Sequence, residues 1–112
     1  IWGDGTPLRE FLHVEDLASA CLMLLNDYDG SVAINVGSGQ ETSILDLAQS
    51  ISKVVGFDGT IKFDQTKPNG TPRKLLDTHF LNNLGWKAQI DLEDGLASTY
   101  AWFLNKIAKG SI

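Results

Sequence analysis

Residues 31–56, Ser-Val-Ala-Ile-Asn-Val-Gly-Ser-Gly-Gln-Glu-Thr-Ser-Ile-Leu-Asp-Leu-Ala-Gln-Ser-Ile-Ser-Lys-Val-Val-Gly, place three local patterns in succession. The first six residues have the β-branched content of a buried strand, and Gly37-Ser38-Gly39 supplies a turn. Thr42-Ser43 with Asp46 then resembles a capped helix start, and apolar residues recur at helical spacing until Gly56. Strand, loop and helix in this order indicate an α/β unit.

The flanking segments extend this pattern in both directions. The elements predicted there are a strand at 9–14, a helix from Glu15 that ends between Asn26 and Gly30, a strand at 60–63, a brief helix at 78–84 capped by Asp77, and a final helix that starts at Asp91. The whole chain, residues 1–112, is therefore predicted to be a single small α/β domain with short strands and about four helices.

The charge and cysteine content of the chain argue against some classes of binding partner. Nine Lys and Arg stand against fourteen Asp and Glu, so the net charge is −5, whereas nucleic acids and anionic membrane surfaces are held by an excess of cations. No apolar run approaches the ~20 residues that cross a bilayer. The single cysteine, Cys21, permits no internal disulfide. These features argue against nucleic-acid and membrane binding and favour a reducing cytoplasm.

Two loop sequences contain the residues that are candidates for binding a ligand. Lys67-Pro-Asn-Gly-Thr-Pro-Arg-Lys74 combines prolines, a glycine and cations in a way that suits neither a helix interior nor a central strand. The other arginine of the chain lies in Trp2-Gly-Asp-Gly-Thr-Pro-Leu-Arg9. Since arginine grips paired phosphate oxygens and lysine adds a mobile charge, Arg9, Arg73 and Lys74 could converge on a diphosphate. Trp2 offers a flat surface for a base or sugar; the alternative is a core-filling tryptophan between incidentally charged loops.

The remaining candidate groups have structural interpretations. Cys21 lies on the apolar face of a predicted helix, which favours a small buried hydrophobe over a nucleophile. The Gly37-Ser38-Gly39 turn matches neither the dinucleotide fingerprint nor the phosphate-loop motif. Neither histidine has partners at metal-ligand spacing, so no metal site is predicted. Acidic pairs such as Asp91 with Glu93 lie at helix starts, where the helix dipole accounts for them.

Two segments of the chain resemble the GDP-L-fucose synthases, a family of extended short-chain dehydrogenase/reductases. Trp2 to Leu17 contains Arg-Glu-Phe-Leu-His-Val-Glu-Asp, a motif shared in general form by many nucleotide-sugar epimerases and dehydratases. Lys67 to Asp77 is much more particular to the fucose branch. The similarity continues through Ile34 to Gly39 and Gly95 to Tyr100, so it covers nearly the whole chain.

This resemblance implies an enzyme that converts GDP-4-dehydro-6-deoxy-D-mannose to GDP-L-fucose with NADPH, by 3,5-epimerisation and 4-reduction, as a homodimer. It implies that this chain is the small C-terminal substrate-binding domain, and that an N-terminal Rossmann domain outside the chain binds NADP. The family's catalytic residues precede the matched region. No catalytic residue is therefore expected here, and the chain alone is expected to be inactive.

The resemblance also implies roles for four residues at matched positions. Trp2 and Arg9 are expected to contact the GDP portion, and Lys74 to lie near the anionic groups of the ligand. Asn69 falls at a substrate-contacting position where the family often has Asp. An amide can both donate and accept hydrogen bonds there, whereas a carboxylate only accepts.

Two other functions stay open at this stage. The first motif alone also fits another nucleotide-sugar 4-epimerase or dehydratase, which a preference among UDP, dTDP and GDP sugars would distinguish. The amphipathic helices would equally suit a non-catalytic interaction module that docks on a partner protein.

Overall fold

The structure is a computed structural model that describes residues 1–110, so the last two positions of the predicted domain lie outside the described residues. Within this range the chain forms a three-stranded sheet and four helices, which confirms the predicted α/β class. In chain order, the elements are β1 (Leu8–Glu10), α1 (Val14–Asp27), β2 (Glu41–Ser43), α2 (Ile44–Val55), β3 (Arg73–Lys74), α3 (His79–Asn83) and α4 (Leu92–Ala108).

The sheet places β1 between two edge strands, in the order β2-β1-β3. β1 pairs antiparallel with β2, where Arg9 is opposite Thr42, and parallel with β3, where Arg9 is opposite Lys74. Because side chains alternate between the two faces of a strand, Arg9, Thr42 and Lys74 belong to one face and Leu8 to the other. This register decides which charged side chains can meet.

Local capping determines where the longer helices begin and end. The Ser43 hydroxyl accepts a hydrogen bond from Asp46 N–H at 2.9 Å, and Gly56 ends α2 with a φ of 70°, as the sequence predicts. Asp91 caps α4 in the same way, by accepting from Asp94 N–H at 2.9 Å. None of the helices within residues 1–110 is long and apolar enough to cross a membrane.

The brief helix predicted at 78–84 is confirmed as α3. Its N-cap residue is Thr78, whose side chain makes no capping hydrogen bond. The Asp77 carboxylate instead accepts from His79 N–H at 2.9 Å. Asp77 therefore stabilises the start of α3 from the position before the N-cap, and not as the N-cap residue itself.

The buried core lies between α1, α3 and the segment that leads into α4. Ala20 and Leu81 are fully buried, and Trp86 is nearly so. The Trp86 indole N–H donates to the Ser19 hydroxyl at 2.9 Å, so the one polar atom of the ring has a partner where it enters the core. The core therefore joins the first helix to the C-terminal part of the chain.

Asp16 is a buried carboxylate that strengthens the same connection. The residue is 4% exposed, and its carboxylate accepts hydrogen bonds from Gln89 N–H at 3.1 Å and Ile90 N–H at 2.9 Å. A buried carboxylate is tolerated when its oxygens are satisfied in this way. Asp16 thus ties α1 to the segment just before α4.

The strand predictions need correction. Residues 31–36 and 60–63 are not strands, and the strand predicted at 9–14 is instead β1, which covers only Leu8–Glu10. A β-branched run becomes a strand only when a neighbouring strand pairs with its backbone groups. Within residues 1–110 the sheet holds only β1, β2 and β3, and residues 31–36 pair with none of them. Residues 60–63 lead only to a single isolated bridge between Asp64 and Trp2, which is too short to count as a strand.

Cys21 is exposed, which corrects the prediction that it is a small buried hydrophobe. On α1 the buried residues are Asp16 and Ala20, and each successive residue is turned by about 100° around the helix. Cys21 therefore lies off the buried side, together with Leu17 and Leu25, which are also exposed. Part of the apolar face predicted for this helix is outside the core formed by residues 1–110.

Candidate functional site

The two loops singled out in the sequence lie against each other. We name residues 2–6 the tryptophan loop and residues 64–72 the proline loop. Gly3 N–H donates to the Asp64 carbonyl at 2.9 Å, and Asp4 N–H donates to Oδ1 of Asn69 at 2.8 Å. The loops border an open depression of about 310 Å³ lined by Gly3, Asp4, Gln65, Lys67 and Asn69.

The contact between the loops depends on the absence of a side chain at Gly3. Its φ of 73° is a left-handed conformation that other residues rarely adopt. A Cβ built on Gly3 would also overlap Oδ1 of Asn69, the atom that accepts from Asp4 N–H. Gly3 and Asn69 therefore hold the tryptophan loop on the proline loop.

Replacing Gly3 with alanine is expected to separate the loops, because the new methyl group strains the backbone and displaces Asn69. The matched control is Gly56→Ala, since Gly56 has a φ of 70° but no atom within 4 Å of an added Cβ. Strain alone should lower the unfolding free energy of both variants by about 1–2 kcal/mol. Only Gly3→Ala should shift the amide resonances of Trp2 and Asn69 in an NMR spectrum; unchanged resonances there would contradict the contact.

The Asp4 carboxylate organises the tryptophan loop from within. It accepts hydrogen bonds from the Thr6 N–H at 2.9 Å and from the Thr6 hydroxyl at 2.7 Å. These bonds, followed by the interaction with the Asn69 side chain, lower the pKa of Asp4 below its ordinary value because they favour the ionised form.

Thr6→Val is expected to raise the pKa of Asp4 by removing the hydroxyl donor. A lowered folded-state pKa means that ionised Asp4 stabilises the loop above the unfolded-state pKa, and that this contribution is lost as the pH falls through the lowered value. An NMR pH titration of the Asp4 side chain measures both effects. Thr66→Val is the control, since Thr66 makes the same turn with Asp64 in the other loop. An equal shift of Asp4 in both variants would argue against the Thr6 contact.

Trp2 is 71% exposed in the tryptophan loop. The alternative prediction, that this tryptophan fills the core, is therefore wrong. Lys67 Nζ lies 5.7 Å from the centroid of the indole ring, within the range of a cation–π interaction. The indole is therefore at the surface, beside a cation, where it can pack against a bound molecule.

Arg9 and Lys74 lie side by side on one face of the sheet, as partners in the β1–β3 pair. Arg9 Nη1 donates to the Leu8 carbonyl at 2.7 Å, and a Cβ built on Gly70 would lie 3.9 Å from Arg9 Nη2, so the guanidinium reaches the proline loop. In the described part of the chain, neither cation forms an ion pair with a carboxylate. They make a local cationic area in a chain of net negative charge.

Arg73 does not join these two cations, which corrects the predicted convergence of all three. Its guanidinium binds the Glu41 carboxylate in a bidentate ion pair, with Nε to Oε1 and Nη2 to Oε2 both at 2.6 Å. The hydrogen bonds lower the pKa of Glu41 and raise the pKa of Arg73, because each charge favours the other. Arg73 belongs to the face of the sheet opposite Arg9.

His13 is a helix cap. Its Nδ1 accepts from Glu15 N–H at 3.3 Å, and its Nε2 lies 3.3 Å from the Ser98 hydroxyl. Among residues 1–110, no group of three or more His, Cys, Asp or Glu side chains is placed to hold a metal ion.

Glu10 and Glu41 also organise the site, and no sequence motif indicated either residue. The Glu10 carboxylate accepts from Gly39 N–H at 2.5 Å and from Leu76 N–H at 3.3 Å, so it joins the glycine turn to the segment after β3. A Cβ on Gly37 would overlap this carboxylate. All these partners are distant in sequence, and the only local signal was the alternation that places Glu10 and Arg9 on opposite faces of a strand.

Residues 1–37 match the model of the NAD dependent epimerase/dehydratase family, in agreement with the fold and the loop motifs. Relatives of the chain include GDP-L-fucose synthase 1 of Arabidopsis thaliana, which is 53% identical over 107 residues, covering 96% of this chain and 33% of the relative. GDP-L-fucose synthase of Escherichia coli K12 is 51% identical over 113 residues, covering 93% of this chain and 35% of the relative. The resemblance to GDP-L-fucose synthases is therefore confirmed.

Solved structures agree with this result. A GDP-L-fucose synthetase from Naegleria fowleri, bound to NADP, matches with a TM-score of 0.89 and 28% identity, covering 96% of this chain and 35% of that chain. The match is to the C-terminal part of the extended short-chain dehydrogenase/reductase structure. The chain spans about a third of the length of the curated relatives it matches.

Proposed function

We propose that this chain is the GDP-sugar-binding portion of a GDP-L-fucose synthase. The observation that carries the proposal is the pairing of Arg9 with Lys74 on adjacent strands, where neither has an acidic partner among residues 1–110. Trp2 is exposed in the tryptophan loop, next to Gly3, which lines the depression between the loops. Identity of 53% and 51% to two GDP-L-fucose synthases supports this reading of the site.

In this proposal the two cations hold the diphosphate. Arg9 supplies a planar fork that matches a pair of phosphate oxygens, and Lys74 supplies a mobile charge next to it. Trp2 packs its indole against the guanine or the ribose, as an amphipathic ring does at many binding surfaces. Asn69 contacts the substrate from the proline loop, next to the depression that both loops border.

The proposal assigns the chemistry to other parts of the full-length enzyme. That enzyme converts GDP-4-dehydro-6-deoxy-D-mannose to GDP-L-fucose, by 3,5-epimerisation and 4-reduction with NADPH, as a cytoplasmic homodimer. In this proposal a separate N-terminal Rossmann domain holds the NADP, and the chain alone has no turnover. As the C-terminal domain, residues 1–112 clamp the nucleotide at a distance and hold the sugar in position, which lowers the barrier through orientation.

The proposal is tested by a two-dimensional amide NMR titration of the chain with GDP, with ADP as the control. Shifts caused by GDP, and not by ADP, should be confined to Trp2, Arg9 and residues 69–74. UDP and dTDP complete the panel, because a preference for either would favour another nucleotide-sugar epimerase or dehydratase. A folded spectrum that responds equally to ADP and GDP, or to neither, would count against a GDP site.

A second candidate function is supported by the exposed apolar side chains of the helices. Leu25 on α1 is 80% exposed and Trp102 on α4 is 57% exposed. Exposed apolar faces are typical of protein contacts, so the chain would act as an interaction module that docks through these helices. Self-association in sedimentation experiments, without any response to nucleotides, would favour this function over GDP-sugar binding.

A further inference from the structure

We propose that Arg73 is a positioning residue, whose ion pair with Glu41 sets the register of β3 and thereby places Lys74 beside Arg9. The inference rests on the proposed function for its consequence in ligand binding. In this inference Arg73, the arginine of the proline-rich motif, stabilises the sheet and does not contact the ligand.

The ion pair connects the two edges of the sheet. Arg73 belongs to β3 and Glu41 to β2, and β1 runs between them. Two nitrogens of the guanidinium each donate to one carboxylate oxygen at 2.6 Å. This bidentate geometry fixes the orientation of the two side chains as well as the distance between them. The Glu41 side chain is only 17% exposed, so this end of the pair is held among neighbouring atoms.

β3 itself contains few groups that fix its register, and the nearest contact after the strand is between Leu76 N–H and the Glu10 carboxylate. The strand has two residues, both exposed, and it follows a loop that contains Pro68, Gly70 and Pro72. Pro72 contributes a carbonyl, which accepts from Leu8 N–H at 2.8 Å, but a proline has no N–H to donate. A short edge strand after a loop of this composition is weakly specified in register.

The register decides the position of the neighbouring lysine. Arg73 is opposite Leu8, and Lys74 is opposite Arg9. Because the side chains of a strand alternate, Arg73 points to the Glu41 face only when Lys74 belongs to the Arg9 face. A slip by one residue would move Lys74 to the Glu41 face, so that Arg9 would no longer have Lys74 beside it. The Arg73–Glu41 ion pair on one face of the sheet thus keeps the charge of Lys74 beside Arg9 on the other face.

Four variants test this inference. Glu41→Gln and Arg73→Gln each break the ion pair, the first with an isosteric amide and the second with a shorter neutral side chain. The double variant Glu41→Arg/Arg73→Glu restores the pair with the charges exchanged. Glu93→Gln is the matched control, because it breaks the other ion pair of residues 1–110, which joins the exposed side chains of Lys53 and Glu93 at 3.3 Å.

Two measurements are made on each variant of the chain. The first is ligand-free: nuclear Overhauser effects between the backbones of residues 8–9 and 73–74 report the register directly. The second is the dissociation constant for GDP. Both single variants should lose the interstrand effects and bind GDP roughly fivefold more weakly, as expected when one charged contact is displaced. The double variant should recover both, and Glu93→Gln should change neither.

The outcomes separate this inference from the proposed function. Intact interstrand effects in both single variants would overturn the register role. A loss of affinity in Arg73→Gln alone, with normal binding by Glu41→Gln, would overturn it as well, because Arg73 would then be a ligand contact. If the register changes as expected while the unmodified chain fails to bind GDP, the positioning role is supported and the proposed function fails.

Discussion

Replacing Arg9 with alanine is expected to weaken GDP binding about tenfold, the largest effect on affinity that the proposed site allows. Arg9 lies in the central strand, where β2 and β3 hold its backbone on both sides. Its guanidinium forms no ion pair with a carboxylate in the described part of the chain, so its charge is available to a phosphate. The substitution removes a bidentate, charge-assisted contact. Isothermal titration calorimetry with GDP measures the change.

Two further variants distinguish a phosphate contact from a general effect of charge. Arg9→Lys keeps the charge but loses the planar fork, so its affinity should lie between those of the unmodified chain and Arg9→Ala. Lys53→Ala removes an equal charge from α2, where Lys53 pairs with Glu93 away from the loops, and should leave the affinity unchanged. If Arg9→Ala binds GDP as well as Lys53→Ala does, Arg9 has no role in the site.

Asp16→Ala is expected to lower the free energy of unfolding by about 3 kcal/mol, the largest stability effect among the polar residues described here. Asp16 is 4% exposed, and its carboxylate accepts from the N–H groups of Gln89 and Ile90. Alanine would leave these partly buried donors without their carboxylate partner, and it would release α1 from the segment before α4. Chemical denaturation followed by circular dichroism measures the loss.

The matched control for this variant is Glu15→Ala. Glu15 and Asp16 both lie in the first turn of α1, so both substitutions remove the same favourable interaction with the helix dipole. Glu15 is exposed, and its loss should lower the free energy of unfolding by only about 0.5 kcal/mol. Equal losses in the two variants would mean that the hydrogen bonds of Asp16 contribute nothing beyond the dipole.

The helices could be predicted from the sequence because their signals are local. Ser43 and Asp46 lie within one turn of each other, and Gly56 ends the same helix through its own backbone conformation. The same reasoning located α1, α3 and α4 to within a few residues. It failed at Cys21, because the apolar face of a helix is broader than the part that its neighbours cover.

The strands and the roles of the charged residues depend on partners far along the chain. The β-branched run at 31–36 has strand composition but no strand beside it within residues 1–110, whereas the less typical Arg73-Lys74 pairs with β1. Likewise, the sequence alone shows two adjacent cations after Pro72, without indicating that they serve different faces.

Composition and local motifs thus establish from the sequence the α/β class, the helix boundaries, the two candidate loops and the family resemblance, because each depends on residues close together in the chain. Only the tertiary structure shows that Arg73 pairs with Glu41, that Arg9 and Lys74 are neighbours on adjacent strands, and that Asn69 packs against Gly3. These contacts join residues more than thirty positions apart, and the distances between them are set by strand pairing and loop packing rather than by local preference.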